Sequence, residues 1–423
     1  MRTTRRTRRS GGSGWAFRAT NAEVFEALAR GERNESLKEL FGARALEELS
    51  ALAGAARKIR PRGRADAARP RVLIVPGMMG SRLSDAPKKA LWVDPARIRD
   101  GHLARLSLSG ARPRPIRPTG AVLPPYARLK LTLEIEGFDA RFFAYDWRLG
   151  IDRIGAALAA KIIAGGTPVF LVAHSMGGLV ARIATKLVPK RLIKRLIMLG
   201  TPNQGAFSPV LALRGTYPFV LRLSRLDLAH SPEELAASIF CSFPGLYQLL
   251  PTAPAPGEID LLDPRSWPDS GPQPDPALLA RVAQVRRRMA GPDGRMRHIV
   301  GVNRETVISV RPTAGGFEYG SNRDGDGTVP IDLAMLPALE SYFVDEAHGE
   351  LANNRRVIAA VAALLRDEGN CGLPSRFTPS REPATYFDDA QLRAGPACKI
   401  DWRMLDSAQR EAVLAELDGG RMS

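Results

Sequence analysis

The sequence predicts an α/β domain in which a mainly parallel central sheet is flanked by helices. Short apolar runs alternate with helical patterns through the middle of the chain. The run "TPVFLVAHS" (167–175), for example, directly precedes the helical pattern "MGGLVARIATKLV" (176–188). Strands that are continuous apolar runs are typical of parallel sheets, which are buried on both faces. Alternating strands and helices then place successive strands in the same direction within one sheet.

The remaining elements of the predicted domain, residues 71–369, follow from the same alternation. The first strand is predicted in "RVLIVPG" (71–77), where Pro-Gly ends the apolar run. Further strands are predicted over 139–147, 192–203, 297–303 and 341–351, and further helices over 151–165 and 353–369.

A long insertion interrupts this pattern between about residues 206 and 296. Part of it, "LPTAPAPGEIDLLDPRSWPDSGPQPDP" (250–276), is rich in Pro and Gly and breaks the strand–helix alternation. Long inserts between the strands of a regular sheet commonly carry binding functions. We therefore expect the insert to form a cap or lid. Its Leu, Phe and Trp content favours a transient contact with a membrane surface as the lid opens.

Both ends of the chain lie outside the predicted domain. Residues 1–14 form a basic arm rich in Gly and Ser, a composition typical of disorder. Residues 15–70 are predicted to be a two-helix extension followed by a linker, with Asn21 as an N-cap and a helix break near Gly42. Residues 370–423 are predicted to be an irregular, Pro-rich tail with one helix.

The formal charge is +17 at pH 7, and the basic arm contributes to it. Such an arm attracts anionic lipid or nucleic acid by Coulomb forces. A solvated tail is the simpler interpretation, because the arm has no aromatic residues between its basic ones and no recognised nucleic-acid-binding motif. No nucleic-acid partner is therefore predicted.

The cysteine and hydropathy patterns indicate the compartment. No apolar run approaches the roughly 18 to 20 residues that cross a bilayer, and no signal-peptide core follows the basic arm. The three cysteines, Cys241, Cys371 and Cys398, are far apart and form no metal or redox pair. Separated cysteines fit a reducing compartment, so we expect a cytoplasmic protein. The histidines are scattered as well, and neither a metal site nor a cofactor is predicted.

The candidate nucleophile is Ser175, in Ala-His-Ser-Met-Gly between a predicted strand and a predicted helix. A nucleophilic Ser at such a junction needs a sharp turn that exposes its hydroxyl, and a strained turn needs small neighbours. Ala173 and Gly177 are both small, although Gly is the commoner residue at the first position. The alternative is that Ser175 only caps the following helix. The strand–turn–helix context favours the nucleophile.

A Ser nucleophile needs a base, and the base needs an orienting acid. In hydrolase-type sheets the chain order is Ser, acid, His. His348 lies in a loop after a predicted strand, whereas His230 falls in the insert and His298 begins an apolar strand. We therefore predict His348 as the base. The acid is predicted at Asp326 in "DGDGTVP", with Asp324 as the alternative.

Ester chemistry also needs donors for the oxyanion that forms on the substrate carbonyl. One donor is predicted to be the backbone amide of Met176, the residue after the nucleophile. The other is predicted to be the amide of Met78, in the loop "PGMMGSRL" (76–83) that follows the first strand. Gly77 lets the backbone of this loop approach the site closely.

Eight segments taken together resemble the lecithin:cholesterol acyltransferase family of α/β-hydrolases, which includes lysosomal phospholipases and bacterial relatives. They occur in the expected order over roughly residues 70 to 368, and they are "VPGMMGSRL" (75–83), "LWVDP" (91–95), "YDWRLG" (145–150), "AHSMGG" (173–178), "LGTPNQGAF" (199–207), "FPGLYQLLP" (243–251), "DGDGTVP" (324–330) and "AHGEL" (347–351).

The resemblance implies an α/β-hydrolase fold, with a lipid-binding cap and lid at the insert. It implies Ser175 as nucleophile, Asp326 as acid and His348 as base, and it implies that Trp147 lines the acyl pocket. Ala173 departs from the family pattern, and no cysteine pair corresponds to the lid disulfide of the secreted animal members.

The expected activity is therefore hydrolysis or O-acyl transfer of lipid esters through an acyl-serine intermediate. Hydrolase and acyltransferase differ only in whether water or an alcohol removes the acyl group, and the sequence leaves both open. The alternative is a catalytically silent α/β-hydrolase scaffold that binds its ligand without turning it over.

Overall fold

A computed structural model describes residues 14–59, 69–86, 89–109, 115–252, 259–380, 382–394 and 398–418. The predicted basic arm, apart from Gly14, lies outside the described residues, as do residues 60–68 of the linker predicted over 57–70.

Strands and helices alternate through the centre of the chain, as the sequence predicts. The strands are β1 Arg71–Val75, β2 Ser81–Ala86, β3 Lys89–Trp92, β4 Arg117–Ala121, β5 Asp139–Phe142, β6 Val169–His174, β7 Ile193–Leu199, β8 Met296–Val302, β9 Thr306–Thr313, β10 Gly316–Asn322, β11 Ser341–Asp345 and β12 Thr385–Asp388. The α-helices are α1 Trp15–Arg18, α2 Asn21–Arg30, α3 Asn34–Phe41, α4 Ala43–Ile59, α5 Pro95–Arg99, α6 Ala127–Ile135, α7 Ile151–Gly165, α8 Met176–Leu187, α9 Ser208–Arg214, α10 Pro218–Leu226, α11 Pro232–Ser238, α12 Pro244–Tyr247, α13 Pro276–Arg287, α14 Ile331–Ala334, α15 Arg355–Arg366, α16 Asp389–Arg393 and α17 Ser407–Asp418.

The central sheet has six strands in the order β11-β8-β7-β6-β1-β5. Every neighbouring pair in it is parallel. The carboxyl ends of all six strands therefore meet at one edge of the sheet, and β6 lies near the middle of that edge, between β1 and β7. The predicted fold class, a mainly parallel sheet flanked by helices, is confirmed.

Both faces of the sheet are covered, which explains why strands such as β1 and β6 are apolar over most of their length. On β1, Leu73 and Val75 pack in the core that contains α7 and α8. Val72 and Ile74 point to the opposite face and pack in the core that contains α6 and α15. Alternate residues of a strand face opposite sides, so a stretch of strand buried on both faces forms a nearly continuous apolar run.

The amino-terminal extension forms its own small core against the domain. Helices α1, α2, α3 and α4 enclose apolar side chains that also contact Leu123, Ala127 and Leu131 of the α6 region. Two expectations for this region are wrong. Residues 21–57 contain three helices rather than two, and the N-cap of α2 is Thr20, whose side chain accepts from the amide of Glu23. The predicted break at Gly42 is present.

Because Thr20 caps α2, the side chain of Asn21 is left to bond elsewhere, and it contacts the backbone of Ala121. Its side-chain Nδ2 donates to the carbonyl oxygen of Ala121 (2.9 Å), and its Oδ1 accepts from the Ala121 amide (2.8 Å). This pair of hydrogen bonds joins the extension to the end of β4.

Two small antiparallel sheets accompany the central one, in the orders β3-β2-β4 and β12-β10-β9. The second sheet takes β12 from the tail that the sequence presents as irregular. The tail is also held by Asp389, whose Oδ2 lies 3.0 Å from Nη2 of the buried Arg214 and whose Oδ1 accepts from the Tyr319 hydroxyl (2.6 Å).

The described part of the predicted insert contributes α9 to α13, which pack into the main core. No helix in the described ranges combines the length and apolarity needed to span a bilayer.

Candidate active site

Ser175 lies on a sharp turn between β6 and α8, at the carboxyl edge of the central sheet. Its backbone is in an unusual conformation for a residue other than Gly, with φ 54° and ψ −128°. Strained backbone of this kind persists only where the surrounding structure fixes it, and it concentrates at functional sites. A Cβ atom at Gly177 would lie 2.4 Å from the carbonyl oxygen of Val75, so only Gly fits there. Ala173 is fully buried in β6, where a methyl group is accommodated.

The hydroxyl of Ser175 does not cap the helix that it precedes. Ser175 occupies the N-cap position of α8, but its side chain makes no capping hydrogen bond. Its Oγ lies instead 2.8 Å from Nε2 of His348. The capping alternative therefore fails, and the hydroxyl is paired with an imidazole.

His348 is held between this hydroxyl and a buried carboxylate. Its Nδ1 lies 2.7 Å from Oδ2 of Asp326, and its backbone amide donates to the Asp326 carbonyl oxygen (2.8 Å). The other carboxylate oxygen of Asp326 accepts from the amides of Thr328 (3.0 Å) and Val329 (2.8 Å). Because an ionised carboxylate only accepts, Nδ1 of His348 carries the hydrogen. Nε2 is then free to accept from the hydroxyl of Ser175.

The alternative candidates lie elsewhere. Asp324 accepts from the Asn322 side chain (3.0 Å) and from the Ser380 amide (3.2 Å), so it orders its own loop. His230 pairs with Asp227 at 2.9 Å. His298 is fully buried and accepts from the Thr201 amide (3.2 Å). Burial lowers the pKa of His298 to about 3, which keeps it neutral.

A second histidine at the site is His174, which directly precedes Ser175 and for which the sequence predicts no role. Its ring centroid lies 5.0 Å from that of His348. Nε2 lies 2.9 Å from the carbonyl oxygen of His348, which can only accept, so Nε2 is the donor. Nδ1 must then accept, and the hydroxyl of Tyr126 donates to it (2.9 Å). The Tyr126 oxygen in turn accepts from the amide of Gly77 (3.0 Å).

These hydrogen bonds form one chain from the β1 loop to the loop that carries His348, through Gly77, Tyr126 and His174. Burial is the main cause that lowers the pKa of His174 to about 3, and the neighbouring His348 adds to it. A neutral His174 places no second positive charge beside His348. Burial also raises the pKa of the Tyr126 hydroxyl, so that it remains a donor.

The two amides predicted to bind an oxyanion belong to Met176 and Met78. Met176 is the first residue of α8, so its amide lies at the positive end of a helix of 12 residues. Met78 follows Gly77, where a Cβ atom would lie only 2.9 Å from Cβ of Ser175. Across the described residues, neither amide donates to another group of the protein. Met78 lines the cavity that contains Ser175, whereas Met176 is fully buried and is not among the lining residues.

Gly200, immediately after β7, gives the pair of Asp326 and His348 its space. Its φ of +55° is in the left-handed region that favours glycine. A Cβ atom here would lie 3.1 Å from both Oδ2 of Asp326 and Nδ1 of His348. In the sequence, Gly200 is only one residue of the segment "LGTPN". Its closeness to Asp326 and His348 depends on the folded positions of the loops that carry them.

Ser175 and His348 open into a cavity of about 880 Å³. Its walls are mostly apolar near the β1 loop and the amino-terminal extension, and charged near the loop of His348. The lining residues around the β1 loop are Met78, Met79, Trp92, Val93, Val122, Pro124 and Pro125, and the charged ones include Arg128, Arg304, Glu305, Glu346 and Glu350.

Trp147 is not among the residues that line this cavity. It is 1% exposed, its indole Nε1 donates to the carbonyl oxygen of Ser81 (2.9 Å), and its ring packs edge-on against Trp92 (5.8 Å) and Phe243 (5.6 Å). The tryptophan in the cavity wall is Trp92, and Trp147 supports it from behind. The expectation that Trp147 itself lines the pocket is therefore corrected.

The insert between about residues 206 and 296 contributes little to the lining of this cavity. Among the described residues that line the cavity, Phe219 alone belongs to the insert.

The described chain contains no group of three or more His, Cys, Asp or Glu side chains arranged to hold a metal ion.

One comparison with known proteins matches part of the chain to a family model, and another matches the chain to solved structures. Residues 151–217, which run from α7 through Ser175 to the start of the insert, match the family model of the PGAP1-like alpha/beta domain. A search of curated protein sequences finds no match. Solved structures that match this chain include a chain of the Tle4–Tli4 complex, at 15% identity and a TM-score of 0.46, covering 72% of this chain and 99% of that one. The mature form of the lipase BlEst2 of Bacillus licheniformis is 18% identical with a TM-score of 0.34, covering 68% of this chain and 89% of that one. The chain has an α/β-hydrolase fold and contains a segment similar to the PGAP1-like alpha/beta domain.

Proposed function

We propose that the protein is a serine-dependent hydrolase or O-acyltransferase of lipid esters. The observation that carries the proposal is the hydrogen-bonded series of Ser175, His348 and Asp326 at the mouth of a largely apolar cavity. Three residues far apart in the chain converge in the order that activates a hydroxyl. The motifs shared with the lecithin:cholesterol acyltransferase family support a lipid ester rather than a small polar one.

In the first step, Nε2 of His348 takes the proton of Ser175 as Oγ attacks the carbonyl carbon of the ester. The negative charge that develops on the carbonyl oxygen is stabilised by the amides of Met78 and Met176. Asp326 stabilises the imidazolium and keeps the ring in the correct tautomer. Because His174 is neutral, it does not oppose the positive charge on His348.

The tetrahedral intermediate then collapses. The bond between the carbonyl carbon and the alcohol oxygen breaks, and His348 gives its Nε2 proton to the departing alcohol. An acyl group remains on Oγ of Ser175. Water or an acceptor alcohol next loses a proton to His348 and attacks the acyl carbon. The products are a free acid or a new ester, and Ser175 regains its proton.

A labelled phospholipid tests this proposal, incubated with and without a long-chain alcohol. We expect free labelled acid in both incubations if water is the acceptor, and a labelled new ester with the alcohol if transfer competes. Ser175→Ala should abolish both products. Binding of the phospholipid without any product, together with no fluorophosphonate labelling of the wild type, would instead support the silent scaffold.

We further propose a reducing, cytoplasmic location for the protein. The described cysteines are all free, with Cys241 and Cys371 buried and Cys398 exposed. Buried free thiols fit a compartment in which disulfides do not form. Fractionation of the producing cells with an antibody against the chain tests the location, and recovery in the extracellular or periplasmic fraction would contradict it.

A further inference from the structure

The cover of the cavity is built by the two ends of the chain, which lie outside the predicted hydrolase domain. Phe17 of α1, Leu40 and Phe41 of α3, and Ala45 and Leu49 of α4 all line the cavity that contains Ser175. From the other end of the chain, α17 adds Leu414 and Glu411. These side chains are apolar except for Glu411, and α3 adds a second carboxyl, that of Glu39, to the lining of the same cavity.

The two chain ends are joined to each other where they meet. The carboxylate Oε1 of Glu411 accepts from the backbone amide of Ala43 (3.0 Å), at the junction between α3 and α4. Nη1 of Arg410 lies 3.7 Å from Oε1 of Glu39. The junction residue Gly42 has φ +76°, and a Cβ atom there would lie 3.1 Å from Glu411 Oε1. The contact therefore depends on a glycine at the bend.

The extension is also anchored to the domain, so its position over the cavity is not a loose association. Its helices share a core with Leu123, Ala127 and Leu131. Arg128 of α6 forms an ion pair with Glu48 of α4, and Arg355 of α15 pairs with the same carboxylate at 2.7 Å. Two helices of the domain, α6 and α15, thus hold α4 in place.

The residues that line the cavity indicate which class of ester it binds. An ester bound at Ser175 has an acyl side and an alcohol side, and the cavity has an apolar wall and a charged wall. A volume of about 880 Å³ falls within the roughly 300–1,000 Å³ typical of ligand sites. Apolar surface buried against Leu40, Phe41 and Leu49 contributes binding free energy in proportion to the length of an alkyl chain.

We infer that the two terminal extensions form the acyl-chain-binding wall of this site and set the chain length of the ester that it accepts. The inference rests on the proposed function. It assigns to α3, α4 and α17 the binding role that the sequence suggested for the insert.

A matched pair of substitutions on one helix tests the inference in the full-length protein. Ala45 lines the cavity, whereas Ala51, also on α4, is exposed and does not line it. The values of kcat/KM are measured for p-nitrophenyl butyrate and p-nitrophenyl laurate. We expect Ala45→Trp to reduce turnover of the laurate ester relative to the butyrate ester by about fourfold for each methylene that it excludes. Ala51→Trp should leave the ratio of the two esters unchanged.

The same comparison on α17 provides an independent second test. Leu414 lines the cavity and Ala412 is exposed. Leu414→Trp should shift the laurate-to-butyrate ratio in the same direction, and Ala412→Trp should not. Fluorophosphonate labelling of Ser175 checks that each variant retains a folded site.

The outcomes separate the inference from the proposed function. If the wild type turns over neither ester and its Ser175 is not labelled, the proposed function fails. If the wild type is active and both cavity variants retain the wild-type ratio while they remain labelled, the proposed function stands and the terminal extensions do not bind the acyl chain. A shifted ratio in the Ala45 and Leu414 variants, with unshifted exposed controls, supports the inference.

Discussion

Removing the hydroxyl of Tyr126 tests whether the hydrogen-bonded chain beside Ser175 positions the site. Tyr126→Phe keeps the ring but takes away the acceptor of the Gly77 amide (3.0 Å) and the donor to His174 Nδ1 (2.9 Å). Tyr126 is 2% exposed, so both partners are left without their hydrogen bond in a buried environment. Each unsatisfied buried group costs about 1–3 kcal/mol. The free energy of unfolding should therefore fall by about 2–6 kcal/mol.

The rate of ester turnover should fall as well, because Gly77 and His174, which lose their hydrogen bonds to Tyr126, both lie next to groups that take part in the reaction. Gly77 precedes the Met78 amide, and His174 holds the carbonyl oxygen of His348 at 2.9 Å. Complete loss of one oxyanion donor costs roughly 10²–10³ in kcat. A donor that is only loosened should cost less, so we expect kcat to fall by about 10- to 100-fold with little change in KM.

The assay is steady-state hydrolysis of a p-nitrophenyl ester at a temperature well below the unfolding transition of every variant. Tyr319→Phe is the matched control, because Tyr319 on β10 is also buried and its hydroxyl donates to Asp389 of α16 (2.6 Å). It should lower Tm while leaving kcat within about twofold. A Tyr126→Phe enzyme that is folded and has the kcat of the wild type would refute the positioning role.

The other predictions concern the acid, the glycine beside it and a carboxyl in the cavity wall. Asp326→Asn should lower kcat on the order of 10⁴-fold by favouring the wrong tautomer of the base, whereas Asp324→Asn should leave kcat nearly unchanged; equal effects in steady-state assays would contradict the assignment. Gly200→Ala introduces strain at φ +55° and places a Cβ atom 3.1 Å from both Oδ2 of Asp326 and Nδ1 of His348. Ester turnover should therefore drop at least tenfold. Turnover at the wild-type rate would show that Asp326 and His348 tolerate the added methyl group. Burial raises the pKa of the Glu39 carboxyl, so the stability that its protonated form contributes is present at low pH and is lost as pH rises through the raised pKa. Glu39→Gln should consequently raise Tm at pH about 8 and change it less at pH about 4, in thermal unfolding scans, while an equal shift at both pH values would exclude a titration effect.

The parts of the fold that the sequence predicts are those governed by local patterns. The central strand β6 is apolar over most of its length because both of its faces are covered, and the sequence of that strand alone shows this property. The tight turn at Ser175 needs small neighbours, and these are adjacent in the chain. Ser175, Asp326 and His348 each lie in a segment that follows a predicted strand. Because the carboxyl ends of parallel strands meet at one edge of the sheet, the sequence predicts that these residues lie close together.

The features that the sequence does not reveal depend on contacts between distant segments. Asn21 has the chemistry of an N-cap, but Thr20 has it too, and the partner of Asn21 at residue 121 decides between them. Trp147 lies in a motif typical of the pocket, yet Trp92 stands between it and the cavity. The cover of the cavity comes from α4 and α17, at opposite ends of the chain, and no periodicity in either helix indicates what it faces.

Intact-mass analysis of the protein during turnover of an activated ester tests the central claim most directly. The account predicts a transient gain equal to the mass of the acyl group, located by peptide mapping on Ser175 and absent from the Ser175→Ala protein. Ester turnover by Ser175→Ala at the wild-type rate, or an acyl group found only on another residue, would contradict it.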